Sequence, residues 1–200
     1  MSIAHGFDFC ASSSFVTHNA DCTYVLTTDG YPTVRDGFTF GTISPATAVG
    51  ANRDSTVDPR LAGVITRVSS ASQWGWRLNL PAAGYYLIRL ALGDATVAHG
   101  VNQYLTLGDN VTTLFAAGGI TAAGHFIDAT GVDCHLAVWP GSNAPALLRF
   151  TTAILILSLG HPVTTSDTSA LAHLYVESAP APDAIAQELP PPRVPVEVLL

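Results

Sequence analysis

Two hundred residues with 48% hydrophobic side chains are enough for one large domain with a well-filled core, yet only 12% of the residues are charged. The net charge is −7, all eight basic residues are arginine, and they form no cluster, which argues against nucleic-acid binding by phosphate neutralisation. A surface so poor in charge has two readings: a genome-level bias that replaces lysine with arginine, or a surface covered by neighbouring subunits.

The first segment, MSIAHGFDFCASS, has no basic stretch followed by a long apolar run. It is read as carrying no secretory signal, so synthesis in a cytoplasm is expected. Phe7 and Phe9 alternate as the core-facing residues of a first strand, and Asp29-Gly30-Tyr31-Pro32 reads as a turn. A strand around Phe38 to Phe40 precedes a charged segment in which Arg53, Asp54, Asp58 and Arg60 fall within eight positions. Two functions compete for that cluster. Guanidinium forks and carboxylates make directed hydrogen bonds to sugar hydroxyls, whereas balanced charges in one long loop also form an ion-pair knot that ties the loop down. The knot is the expected outcome.

Trp74 to Asp94 carries the clearest pattern of the chain. Trp76, Leu78 and Leu80 alternate with Arg77 and Asn79, Pro81-Ala82-Ala83-Gly84 turns the chain, and Tyr86, Ile88, Leu90 and Leu92 resume the alternation. This predicts a β-hairpin with one buried face. The strand ending in Leu-Pro, the x-x-Gly-Tyr that follows and the Arg-containing strand ending in Gly-Asp together resemble the malectin-like and carbohydrate-binding-module branch of the galactose-binding-like jelly rolls. The Phe-Asp-Phe start and the Arg-Asp-rich segment are similar to features of the same family. The resemblance spans roughly residues 50 to 160 and implies a jelly-roll sandwich with a glycan as a candidate ligand. Its residues are core and turn residues, so it identifies no binding site.

Further along, Gln103 to Leu107 reads as a strand, Gly108-Asp109-Asn110 as a turn and Val111 to Phe115 as its short partner, with Gly118 and Gly119 breaking the chain. His125 and His135 are expected on neighbouring strands. The segment from Asp133 to Gly160 supplies two more strands joined by Pro140-Gly141-Ser142-Asn143, and the apolar LLRFTTAILILSLG, too short and interrupted to span a bilayer, reads as a central strand buried on both faces. A last strand is expected over Ala172 to Glu177. The fold class that results is all-β: a jelly-roll β-sandwich of eight or nine strands over residues 1–178, with a Pro-rich arm over 179–200. The arm carries Pro190, Pro191, Pro192, Val194, Val196, Val198, Leu199 and Leu200, and its apolar end is costly in water unless it docks, on its own sandwich or on a neighbour.

Chemistry is sparse in this pattern. The seven histidines are scattered with no HxH or HExxH pair, and Cys10, Cys22 and Cys134 lack CxxC spacing. No metal or cofactor is expected; buried thiols are preferred over a Cys10 to Cys22 bridge. No nucleophile elbow, phosphate loop or dinucleotide fingerprint occurs, and the aspartates fall at turns, so an enzyme is not expected. For sugar recognition the candidate contacts are Trp74, Tyr104 and Trp139 as aromatic platforms, with Asn102 and Gln103 as hydrogen-bonding partners.

Two functional readings follow. The low charge, the absent catalytic constellation and the apolar-tipped arm resemble accessory proteins of tailed phages and phage-like particles. That resemblance implies a non-enzymatic structural subunit, a virion decoration protein on a head, spike or tail, with protein subunits as partners in a homo-oligomer or hetero-assembly. The alternative is a free-standing carbohydrate-binding module. Neither reading involves membrane insertion.

Overall fold

The computed structural model describes residues 2–11, 22–44, 48–53, 58–67, 73–109, 111–136, 139–160 and 169–182. Numbered in chain order, fifteen strands occur among them, and they form two sheets. The larger sheet contains β1 (Ala4–Cys10), β2 (Cys22–Leu26), β5 (Ala48–Asn52), β6 (Gly63–Arg67), β8 (Gly84–Gly93), β11 (His125–Ile127), β12 (Asp133–His135), β13 (Ala146–Phe150) and β15 (Ala170–Ala179). The smaller contains β3 (Thr33–Arg35), β4 (Phe38–Ser44), β7 (Trp74–Asn79), β9 (His99–Gly108), β10 (Thr113–Thr121) and β14 (Ile154–Leu159).

Strand order in the larger sheet is β12-β11-β8-β15-β1-β2, with β13 on β8, β6 on β15 and β5 on β6; the smaller sheet runs β10-β9-β14-β7-β4-β3. The molecule is a β-sandwich, as the alternation predicts. Fifteen strands lie among the described residues rather than eight or nine: β2, β3, β5 and β6, of three to five residues each, carry too little alternation to be seen in the sequence.

The main core lies between the sheets. Phe7, Phe9, Ile88, Leu90, Leu174 and Val176 enter it from the larger sheet, and Trp74, Trp76, Leu78, Leu105, Leu107, Leu155 and Leu157 from the smaller. Aromatic rings meet edge-to-face across the gap: Phe7 on Trp76 with centroids 5.4 Å apart, Phe9 on Trp76 at 5.5 Å and Phe9 on Trp74 at 6.0 Å. Each such pair is worth about 0.5–1.5 kcal/mol beyond the area it buries.

The expected hairpin is corrected by this arrangement. The two strands around Pro81-Gly84 are real, but β7 pairs with β4 and β14 in the smaller sheet, whereas β8 pairs with β15, β11 and β13 in the larger. The turn therefore carries the chain from one sheet to the other. Alternation records which face is buried and is blind to the partner strand. A similar correction applies to LLRFTTAILILSLG, which is two strands in different sheets: β13 against β8, and β14 between β9 and β7. Gly118 and Gly119 do not break the chain but lie inside β10, paired with Tyr104 and Gln103. The final strand is longer than expected and central, with β8 on one side and β1 on the other.

A second, smaller cluster, Leu61, Ala91, Phe126, Cys134, Leu136, Trp139 and Ala172, packs with Ala95 and Tyr175. Ala91 sits between Leu90 and Leu92 of the main core, so strand alternation points it to the opposite side. The outer face of the larger sheet is thus partly roofed by loops. Cys10, Cys22 and Cys134 are buried thiols. Burial pushes the Cys134 thiol up to about 11, with the charges of Asp128 and Asp133 acting in the same sense. The arm from 183 onward lies outside the described residues.

Candidate functional site

The last strand positions the site. Leu174 and Val176 of β15 point into the main core, so His173, Tyr175 and Glu177 point to the outer face. Register across the sheet places Arg89 of β8 opposite Tyr175, Asp8 of β1 opposite His173, and Gly6 opposite Tyr175 on one side and Cys22 of β2 on the other. Strand pairing alone collects two carboxylates, a thiol, an imidazole, a guanidinium and a phenol on one surface.

Loops complete a cleft of about 260 Å³ over that surface. Cys22, Arg89, His173, Tyr175 and Glu177 line it from the sheet, and Arg60, Trp139 and Pro140 from the loops. Asp58 holds the loop side together. It accepts hydrogen bonds from the Trp139 amide at 2.9 Å, from the Arg60 amide at 3.0 Å, and from Arg60 Nε and Nη2, both at 2.9 Å. Burial alone would raise the Asp58 carboxyl; the bonds from Arg60 and Trp139 and the charge of Arg60 outweigh it and hold the group below its ordinary value. Arg60 Nη2 also donates to the Trp139 carbonyl at 3.3 Å.

The far side of the Trp139 turn is held in the same manner. Asn143 Nδ2 donates to the Leu90 carbonyl at 2.6 Å, Arg89 Nη1 donates to the Asn143 carbonyl, and the Ala144 amide donates to Asp128 at 3.1 Å. Trp139 is thereby laid against His173, ring centroids 4.4 Å apart at 62°.

Beneath this wall, Asp8, Cys22 and His173 are buried together, with 2%, 6% and 0% of their surfaces exposed. One ligating atom of each lies within 4.8 Å of the others. The Asp8 carboxylate is hydrogen-bonded to His173 Nδ1, while His173 Nε2, also buried, has no hydrogen-bond partner among the described residues. Such an orphaned polar atom is uncommon in a folded interior and calls for a reason.

Of the residues singled out in the sequence, Trp139 is in the cleft and the other aromatic candidates are not. Trp74 is 1% exposed and packs on Phe9, so the aromatic platform expected of it is corrected: alternation in β7 places it in the core alongside Trp76. Tyr104 is half-buried on β9 of the smaller sheet, its amide donating to Ser169 Oγ at 2.9 Å, and it does not converge with Trp139. The side chains of Asn102 and Gln103 lie outside the described residues, as does Asp54.

The charged segment forms one ion pair within itself and one with a partner the sequence does not indicate. Arg60 pairs with Asp58 nearby, but Arg53 reaches across to Asp94 at the end of β8, with Nε at 2.8 Å and Nη2 at 2.5 Å. His125 and His135 do face each other on β11 and β12, rings 5.1 Å apart, and His125 Nδ1 lies 3.3 Å from Asp133 at an exposed edge. Asp128 turns away to bind the amides of Thr130 and Val132 at 2.8 and 3.1 Å.

No sequence motif joins Asp8, Cys22, Arg89, His173, Tyr175 and Glu177 as one site. The signal for half of them was present: HLYVE places His173, Tyr175 and Glu177 at spacings of two, a polar stripe on a strand whose other face is apolar. Asp8 and Cys22 join them only through pairing across the sheet.

No protein-family model matches this chain, and no curated protein does. Solved structures do. The catalytic domain of Agl-KA is 13% identical at a TM-score of 0.36, over 76% of this chain and 29% of its own. A cycloisomaltooligosaccharide glucanotransferase of Paenibacillus sp., complexed with cycloisomaltoheptaose, is 10% identical at 0.34, over 77% of this chain and 20% of its own. TmCBM61, in complex with beta-1,4-galactotriose, is 11% identical at 0.29, over 71% of this chain and 88% of its own. The chain thus spans less than a third of the length of the first two. At scores this low the likeness assigns neither a family nor an activity to this chain.

Proposed function

We propose that this chain is a carbohydrate-binding sandwich whose ligand occupies the cleft on the outer face of the larger sheet, and that it binds without transforming the sugar. The observation that carries this reading is the composition of the cleft. Arg60, Arg89, Tyr175 and Glu177 offer donors and an acceptor suited to vicinal hydroxyls, and Trp139 offers an apolar edge, all held by strands and by anchored loops. At about 260 Å³ the cleft lies at the small end of ligand sites, so it receives a short segment of a glycan and not an extended chain.

The test is retention on a glycan array by the wild-type chain, Trp139→Ala and Glu177→Ala. Glu177 is half-buried at the outer face, so its truncation leaves the melting temperature near wild type. Loss of a hydrogen bond from a charged group costs about 1.5–3 kcal/mol, which predicts a 10- to 100-fold weaker dissociation constant for Glu177→Ala. Binding unaffected by both substitutions, or no glycan retained by the wild type, would overturn the reading. The accessory-subunit role expected from the sequence rests on the low charge, the absent catalytic constellation and the apolar-tipped arm; the arm's residues 190–200 lie outside the described residues, and no feature of the described sandwich favours that role over glycan binding.

A further inference from the structure

We infer that Cys22 and His173 form a binding site for a divalent transition-metal ion of the zinc class, with Asp8 as the carboxylate behind His173. This goes beyond glycan binding and does not depend on it.

Three observations converge. The first is the orphaned imidazole nitrogen: His173 Nε2 is buried and has no hydrogen-bond partner among the described residues, while Nδ1 is engaged by Asp8. A carboxylate on one imidazole nitrogen fixes the tautomer with Nδ1–H donated to Asp8 and leaves Nε2 as a lone-pair donor, the arrangement found behind metal-ligating histidines. The second is the space above Gly6. A Cβ built on that residue would lie 2.6 Å from Cys22 Sγ, 2.8 Å from His173 Cε1 and 3.1 Å from His173 Nε2, so thiol and imidazole edge flank one point that only glycine leaves open. Zinc lies about 2.3 Å from sulfur and about 2.0–2.1 Å from nitrogen, so a small turn of the His173 ring that brings Nε2 forward in place of Cε1, with a shift of ~1 Å, puts both donor atoms at bonding distance of an ion near that point. The third is the donor chemistry. One sulfur and one nitrogen select a borderline-soft ion over calcium or magnesium, which require oxygen ligands.

Charge closes the account. The ion brings two positive charges; Cys22 binds as thiolate, releasing its proton to solvent, and Asp8 supplies the second negative charge beside a neutral His173. The buried group is then neutral as a whole, which removes most of the penalty of placing charge in the interior. Cys22 and His173 also line the cleft, so an ion has a path in, and its remaining coordination positions face the cleft, where water or a ligand oxygen completes them.

The experiment is a Co²⁺ titration of the full chain, reduced and stripped of metal by chelation, followed by the thiolate-to-cobalt charge-transfer absorption. The expected result is a band saturating at one equivalent, displaced by Zn²⁺. It should be absent in Cys22→Ser and retained in Cys10→Ser and Cys134→Ser, which remove the other two buried thiols. Asp8→Asn should weaken Co²⁺ binding about 10- to 100-fold while preserving the band at saturation. Gly6→Ala should abolish binding although it removes no ligand. No band in the folded wild type, or a band that survives Cys22→Ser, would overturn the inference. Should Cys22→Ser fail to fold, alkylation mapping of the wild type decides: Zn²⁺ protects Cys22 if the site exists, and unchanged alkylation of Cys22 rules it out. None of these readouts involves a glycan, so failure of the glycan-binding proposal leaves them intact.

Discussion

Replacing Arg53 with methionine keeps most of the aliphatic stem and removes the guanidinium that meets Asp94 through Nε and Nη2. The Asp94 side chain is fully buried, whereas that of Arg53 is 23% exposed. Removing one partner of a buried ion pair costs about 3–5 kcal/mol, because the other charge is stranded. Two features lower that figure here. Asp94 keeps hydrogen bonds from the Thr96 amide and hydroxyl and from the Val97 amide, and the partly exposed position of Arg53 lets water approach once the guanidinium is gone. The expected loss is about 2–3 kcal/mol, which for a domain of this size lowers the melting temperature by about 5–10 °C. Adding Asp94→Asn to Arg53→Met removes the stranded charge, so the double variant should be more stable than the sum of the two single losses predicts, with a coupling of at least ~1 kcal/mol. Thermal unfolding by circular dichroism measures all four species, and the glycan array measures binding in parallel. If Arg53→Met melts within about 2 °C of wild type while losing glycan, Arg53 contacts ligand and the structural reading of this ion pair is wrong.

Two further outcomes are expected. Asp58, Asp109 and Asp128 all have carboxyls held below their ordinary value: Asp109 chiefly by the Thr151 hydroxyl and the Thr112 and Thr151 amides, Asp58 and Asp128 by hydrogen bonds that overcome the opposing effect of burial. Groups depressed on folding stabilise fully above their unfolded pKa and lose that contribution as pH falls through the folded value. Urea midpoints should therefore be level from pH 7 to about pH 5 and drop steeply below about pH 4, and an equal midpoint at pH 3 and pH 7 would contradict these carboxylate networks. Deleting Pro190 to Leu200 should leave a sandwich with an unchanged melting temperature. Light scattering of the full chain beside the truncation then tests the arm: assembly of the full chain alone shows an intermolecular anchor, and two monomers rule out self-association through it.

What the sequence determined by itself was the identity of the buried faces. Phe7 and Phe9, Trp76, Leu78 and Leu80, and Tyr86, Ile88, Leu90 and Leu92 all occupy the core that their alternation assigns, because a period of two directly reports which side of a strand meets water. The turn at Pro140 to Asn143 was also legible, closed by the Asn143 amide on the Pro140 carbonyl at 2.9 Å, since turn residues act through their own local backbone. Partner choice was not legible. Pro81 to Gly84 looks the same whether it closes a hairpin or crosses between sheets, and only packing of the two apolar faces against each other decides for the crossing.

The site belongs to that second kind. Asp8 and His173 are 165 positions apart and meet because β1 and β15 pair antiparallel; Cys22 joins them because β2 pairs parallel to β1. Arg53 finds Asp94 by the same route, 41 positions away. Local pattern carries no record of register between distant strands. Register is chosen by burying the whole set of core side chains at once, and the chemistry of the outer face follows from that choice.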